Sequence, residues 1–152
     1  MNNVKFYTYY GIATGAPTAM GAAAAGKVYM VGYGHLNMPG TMEKIVKGFK
    51  AKVNDDMYTG TVYTGLNMLD QAFAKAKTTD PVKVAATMEG MKFQNYNGEV
   101  EMRKTDHQLQ QGLYILRWEK AGGKYPMDSE NTGYTFAPVK YYEPYVASTP
   151  TS

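Results

Sequence analysis

The chain contains no cysteine. That excludes a disulfide frame, thiolate metal sites and thiol nucleophiles, and it fits either the cytoplasm or a bacterial periplasm. Imidazole is scarce too, with only His35 and His107, and neither sits in an H-x-x-x-H or H-x-E pattern. No metal site is expected from that pair. The serines are Ser129, Ser148 and Ser152, all in loop-like or tail sequence. None lies beside an oriented base, as nucleophilic hydrolysis requires. Neither GxxxxGK[ST] nor GxGxxG occurs, so no cofactor or nucleotide loop is expected. No run of five or six like charges suggests nucleic acid or a membrane surface, and no apolar stretch approaches a membrane span. The opening MNNVKFYTYY lacks a basic n-region followed by an apolar h-region, so no signal peptide is expected within it.

What is present is ordinary soluble composition: 152 residues, 44% hydrophobic, 19% charged, with a net charge of +3. That length fits one domain and buries roughly 68–70% of its unfolded surface. Tyrosine is abundant, fourteen against five phenylalanines and one tryptophan. Its flat apolar body and hydroxyl suit both strands and half-wet clefts.

Along the chain, VKFYTYY (4–10) reads as a strand, Gly11 to Gly15 as a turn, and APTAMGAAAAG as a helix opened by Pro17 and ended by Gly26. KVYMVGYG (27–34) reads as a second strand, which completes a βαβ unit and predicts a parallel pair. A helix is expected over 40–53, with Met42, Ile45, Val46, Phe49 and Val53 at helical spacing. A second is expected over 61–77, with Val62, Leu66, Leu69, Phe73 and Ala76 on one stripe. Both stripes are expected to face the core. A third helix starts at DPVKVAATMEGM, with Asp80 as N-cap and Pro81 at its first position. After Asn97-Gly98 come strands: GEVEMR, GLYILRWEK and a last pair around YTFAPVKYYEP. The fold class is α/β, parallel at the start and β-rich at the end.

One stretch, MRKTDHQLQQ (102–111), places Asp106 beside His107. Neighbours on an extended strand point to opposite faces, so the pair is badly placed for a catalytic dyad. No enzyme is expected.

Read in order, VKFYTYYGIATGAPTAMGAAAAGKVYMVGYG, GTMEKIVKGFKAKVND, VYTGLNMLDQAFAKA and FQNYNGEVEMRKTDHQLQQGLYILRWEKAGGKY resemble the C-terminal portion of leucine/isoleucine/valine-type receptors. These are type I periplasmic binding proteins of ABC transporters. The resemblance implies a fragment of a two-lobe α/β fold: 1–36 the end of the second lobe, 37–110 the C-terminal part of the first, and 111–152 the return and tail. It implies that the receptor's first half is missing and that Met1 is an internal or miscalled start. Interlobe crossings fall at Gly34 to Met38 and Gln111 to Leu113, side by side, with His35, Gln111 and Gly112 as hinge residues. Ligand contact falls on Tyr9, Tyr10 and Gly11. Tyr10 stands where that family offers a carboxylate to an α-ammonium, and no acid lies between Met1 and Met42.

The implied function is an extracytoplasmic, periplasmic substrate-binding component for leucine-like branched-chain amino acids or a related small polar solute, in amino acid transport. An amide or aromatic acid would suit a phenol in place of an acid. The implied partners are that small ligand and an ABC permease in the inner membrane, with no nucleic acid and no cofactor. The alternative is a ligand-sensing α/β regulatory module built from related lobes. A half-receptor would expose strand edges and apolar helix faces, so self-association is expected.

Overall fold

A computed structural model describes residues 4–56, 59–146, 148 and 150. The chain divides into two compact units, one of residues 1–60 with 113–141 and the other of 61–112 with 142–152.

The first unit is a four-stranded sheet with short helices. It holds β1 (Phe6–Thr8), α1 (Ala16–Met20), β2 (Val28–Gly32), α2 (Thr41–Val53), and the later strands β6 (Leu113–Lys120) and β7 (Tyr134–Tyr142). The sheet order is β1-β2-β6-β7. β1 and β2 pair in parallel with Phe6 opposite Val28, as the βαβ pattern predicts, while β2 and β6 pair antiparallel with Met30 opposite Leu116. Pro138 sits within β7, where only an edge strand accommodates a residue without an amide hydrogen. Alternate residues of β6, Leu116 and Trp118, turn inward to Met30 and Phe136.

The helix expected to run to Gly26 stops at Met20 instead. Gly21 adopts φ 44 and ψ −147, and Ala22–Ala24 form a single 3₁₀ turn. Trp118 accounts for this. Its indole Nε1 donates to the Gly21 carbonyl at 2.7 Å, and its own carbonyl accepts from the Gly26 amide at 2.8 Å. Tertiary hydrogen bonds override the alanine run's helical preference.

The second unit contains most of α3 (Thr59–Ala76), then α4 (Pro81–Met88), β3 (Lys92–Asn95), β4 (Gly98–Met102) and β5 (Leu109–Gln110). The three strands form an antiparallel sheet. β3 was not expected. It joins β4 through a two-residue turn at Tyr96-Asn97, which closes the pair Asn95 and Gly98. Asp80 caps α4 as predicted, its carboxylate accepting the Lys83 amide at 2.9 Å. Ala72, Val84, Met91, Phe93 and Val100 make the core.

On α3 the buried face is not the expected one. Thr64 and Ala72 are buried and Met68 packs on the core, a row at i, i+4, i+8. Val62, Leu66, Leu69 and Phe73 are exposed, at 57%, 64%, 39% and 41%. The helix carries two apolar faces, and periodicity alone cannot tell which one meets the sheet. On α2, Met42 and Val46 are buried as expected, whereas Phe49 and Val53 are exposed. Among the described residues no helix is long and apolar enough to cross a membrane.

Candidate functional site

Two loops leave the sheet of the first unit at the carboxyl ends of its parallel strands. One follows β1 and contains Tyr9, Tyr10 and Gly11; the other follows β2 and contains Tyr33, Gly34 and His35. In open α/β sheets this end of the strands is where ligands bind.

The first loop is pinned from below. A Cβ on Gly11 would stand 2.6 Å from Phe136 Cζ and 2.9 Å from Cε2, so only glycine lets the backbone lie on that ring. Gly11 itself is buried. The Tyr10 amide donates to Thr8 Oγ1 at 3.2 Å, and its carbonyl accepts from Ala13 at 3.0 Å. With its backbone held, the Tyr10 side chain stands 69% exposed. Tyr9 is also exposed, and its hydroxyl lies 3.5 Å from that of Tyr33. The result is a group of phenols at one strand end. Tyr33 was missed by sequence reasoning, because its closeness to Tyr9 comes from the parallel pairing and not from local spacing.

His35 packs edge-on against Tyr114 (5.5 Å) and Tyr125 (5.8 Å). Its Nδ1 is buried without a hydrogen-bond partner. Burial, aided by the nearby Lys124 charge, lowers its pKa to about 4, so the ring is neutral near pH 7. Asn37 then ties the segment down, donating to the Met127 carbonyl at 2.8 Å and accepting its amide at 2.6 Å. Neither Asn37 nor the two tyrosines around His35 stood out in the sequence.

The expected hinge residues fall in different places. The chain passes between the compact units at Gly60–Thr61, at Gly112–Leu113 and at Tyr141–Tyr142. Gln111 and Gly112 therefore stand at a passage, whereas His35 lies inside the first unit. α2 belongs to the first unit as well, and not with the segment 37–110 in which it was expected. Lys50 explains why: its ammonium contacts the Asp128 carbonyl at 2.7 Å and the Asp56 carboxylate at 3.2 Å. Asp56 in turn accepts the Glu130 amide at 3.0 Å.

Asp106 and His107 have separate partners. Arg103 grips the Asp106 carboxylate through Nε at 2.9 Å and through a second nitrogen, and this hydrogen bonding holds the acid below its usual range. His107 Nε2 lies 3.1 Å from Glu89 Oε1. No dyad forms.

Residues 2–124 match the family described as periplasmic binding protein. None of the curated proteins matches. Among solved structures, the chain is similar to a leucine-, isoleucine-, valine-, threonine- and alanine-binding protein from Brucella ovis in its closed conformation. The identity is 19% over 97% of this chain and 38% of that one, with a TM-score of 0.81. A solute-binding protein of an ABC transporter from Rhodopseudomonas palustris BisB5, bound to 3,4-dihydroxybenzoic acid, has 19% identity over 82% of this chain and 33% of that one, with a TM-score of 0.67. Another from Rhodopseudomonas palustris HaA2, bound to p-hydroxybenzoic acid, has 18% identity over 92% of this chain and 37% of that one, with a TM-score of 0.68. The chain thus spans 33% to 38% of the length of these proteins. At such identities the likeness concerns the fold.

Proposed function

The chain belongs to the periplasmic binding protein family, and on that premise we propose that it serves in the substrate-binding component of an ABC importer, outside the cytoplasm. Members of this family bind solutes and do not transform them. The solute we assign is a small polar molecule: a branched-chain amino acid, its amide, or an aromatic acid. The partners are that solute and an inner-membrane permease.

The observation that carries this reading is the pinned tyrosine turn. Tyr9, Tyr10 and Gly11 follow a parallel strand, Gly11 seats the backbone on Phe136, and the Tyr10 phenol is left free to meet a ligand. A few placed polar groups on a rigid frame are what such sites need. The absence of any acid before Glu43 favours a ligand head that accepts or donates a hydrogen bond over one that needs a counter-charge. Two of the similar proteins have hydroxylated benzoic acids bound, ligands without an ammonium group. In this reading Gly11 positions the turn, and Gln111 and Gly112 serve as the hinge. His35 holds the segment after β2 in place between its two tyrosines.

Calorimetric titration of the protein with leucine, leucinamide and p-hydroxybenzoate tests the proposal. We expect weak, saturable binding of one of them. Tyr10→Ala should weaken it by about 1–3 kcal/mol, and Tyr10→Phe by most of that amount, if the hydroxyl pairs with a buried ligand group. Unchanged affinity in both variants would remove Tyr10 from the site.

A further inference from the structure

We propose that Glu130 is a positioning residue for the tyrosine turn, the carboxylate that fixes the far end of the segment from Tyr9 to Thr18. Gly11 on Phe136 pins one end only. From there two turns follow one another, the Ala13 amide donating to the Tyr10 carbonyl at 3.0 Å and the Ala16 amide to the Ala13 carbonyl at 2.8 Å. Glu130, on the loop between β6 and β7, closes the other end. Its Oε1 accepts from the Gly15 amide at 2.5 Å, and its Oε2 accepts from the Thr18 amide at 3.0 Å and the Thr18 hydroxyl at 2.6 Å. Burial pushes this carboxyl up, but the hydrogen bonds from Thr18 and Gly15 outweigh it and hold the acid below its usual range. It is therefore ionised near pH 7, and all three bonds are charge-assisted.

The backbone that carries this carboxylate is strained. Glu130 and Asn131 both adopt left-handed conformations, with φ 51 and 57. Residues other than glycine persist there only where their surroundings over-determine them, and such strain gathers at functional positions. Here the Glu130 amide donates to Asp56 Oδ2 at 3.0 Å, the Asn131 side chain to Asn54 Oδ1 at 3.1 Å, and the Gly133 amide to Asp128 Oδ2 at 2.7 Å. Lys50 bridges the Asp56 and Asp128 carboxylates at 3.2 and 3.3 Å. The loop is thus a rigid base tied to α2 and its C-terminal end. A glycine at position 130 would make the same loop with less strain, so the loop by itself gives no reason for an acid. The bonds to Gly15 and Thr18 do. Their effect on a ligand rests on the functional reading above: with both ends fixed, the turn presents Tyr10 already ordered, and binding does not lose free energy to ordering it.

Amide exchange and calorimetric titration of the same variants are the test. Glu130→Ala should speed exchange at Gly15 and Thr18, and at Ala13 and Ala16 through the loosened turn, by about tenfold or more, with no change at Met30 and Leu116 in the sheet. The solute that binds the wild-type protein should bind this variant about tenfold more weakly. Glu130→Gln keeps an acceptor without the charge and should fall between the two in both measurements. Glu130→Gly removes the side chain and the backbone strain together. It should keep a urea midpoint nearer to wild type than Glu130→Ala does, and still loosen the turn. Unchanged exchange at Ala13 and Ala16 in both the Ala and Gly variants would overturn the proposal, and so would a loosened turn that binds the solute as tightly as before. Should none of leucine, leucinamide and p-hydroxybenzoate bind the wild-type protein, the functional reading fails on its own, and exchange at Ala13 and Ala16 still decides for or against Glu130.

Discussion

The two compact units are built in opposite ways. The first draws on two distant stretches, and the contacts that hold it span the sequence. Trp118 reaches Gly21 across 97 positions, Asn37 reaches Met127 across 90, and Glu130 accepts from the Gly15 amide across 115, at 2.5 Å. Its core is aromatic, with Trp118 and Phe136 at 5.0 Å and Trp118 stacked on Tyr134 at 5.9 Å. The second unit is nearly continuous in sequence. Its side-chain contacts are shorter in range, such as Thr64 with Asn95 across 31 positions, and its core is aliphatic apart from Phe93. Loop closure over a hundred residues costs entropy that local packing avoids. The first unit therefore depends on the chain's return, and the candidate ligand turn sits in that dependent unit.

The sharpest way to break this contrast is to empty each core in turn. Trp118→Ala should cost about 3–5 kcal/mol, and Phe93→Ala a similar amount. Amide exchange should then lose protection over residues 4–60 and 113–141 in the first variant and over 61–112 in the second. Equal losses everywhere from either change would mean that the units unfold as one.

Overpacking comes next. Gly11→Ala drives a methyl group into Phe136 and should cost about 1–3 kcal/mol in denaturant unfolding followed by Trp118 fluorescence. Phe136→Leu in the same chain should recover part of it. If the midpoint does not move, Gly11 is not the pin of the turn.

The first unit should carry a pH dependence traceable to one buried ring. Native His35 takes up a proton only near pH 4, whereas the unfolded chain does so near 6.5. Below 6.5 the unfolded state thus binds more protons. This contribution to stability is whole above pH 6.5 and is lost as pH falls towards 4. Urea midpoints at pH 7 and pH 5 should differ less in His35→Phe, and an identical pH slope would contradict the buried neutral ring.

In the second unit, Asp80→Ala removes the cap of α4 and should cost about 1 kcal/mol, read as loss of exchange protection near Lys83. The smallest effect expected is from His107→Ala, within about 0.5 kcal/mol, since the side chain is exposed. A larger loss in thermal unfolding would give the His107–Glu89 contact a structural weight it is not assigned.

Local signals were legible where local physics governs. The spans of α2 and α4, the Asp80 cap with Pro81 behind it, the parallel pair β1–β2 and the strand β6 all follow from periodicity, strand-forming composition and cap chemistry. Tyr10 and Gly11 entered through resemblance, and the structure added a reason for the glycine. β3 escaped because KFQN is four residues with a single buried apolar one, too short to carry a pattern.

The remaining features needed residues far apart in sequence to meet. By itself the sequence determined which segments turn helical or extended, because backbone preference and side-chain spacing act within a few residues. Only the tertiary structure decided that the alanine run breaks at Gly21, since Trp118 claims that carbonyl. It alone decided that α3 buries the Thr64, Met68 and Ala72 row and not the Val62, Leu66, Leu69 and Phe73 stripe. It also decided that His35 is neutral and Gly11 irreplaceable, since burial between Tyr114 and Tyr125, or on Phe136, belongs to no single stretch of chain.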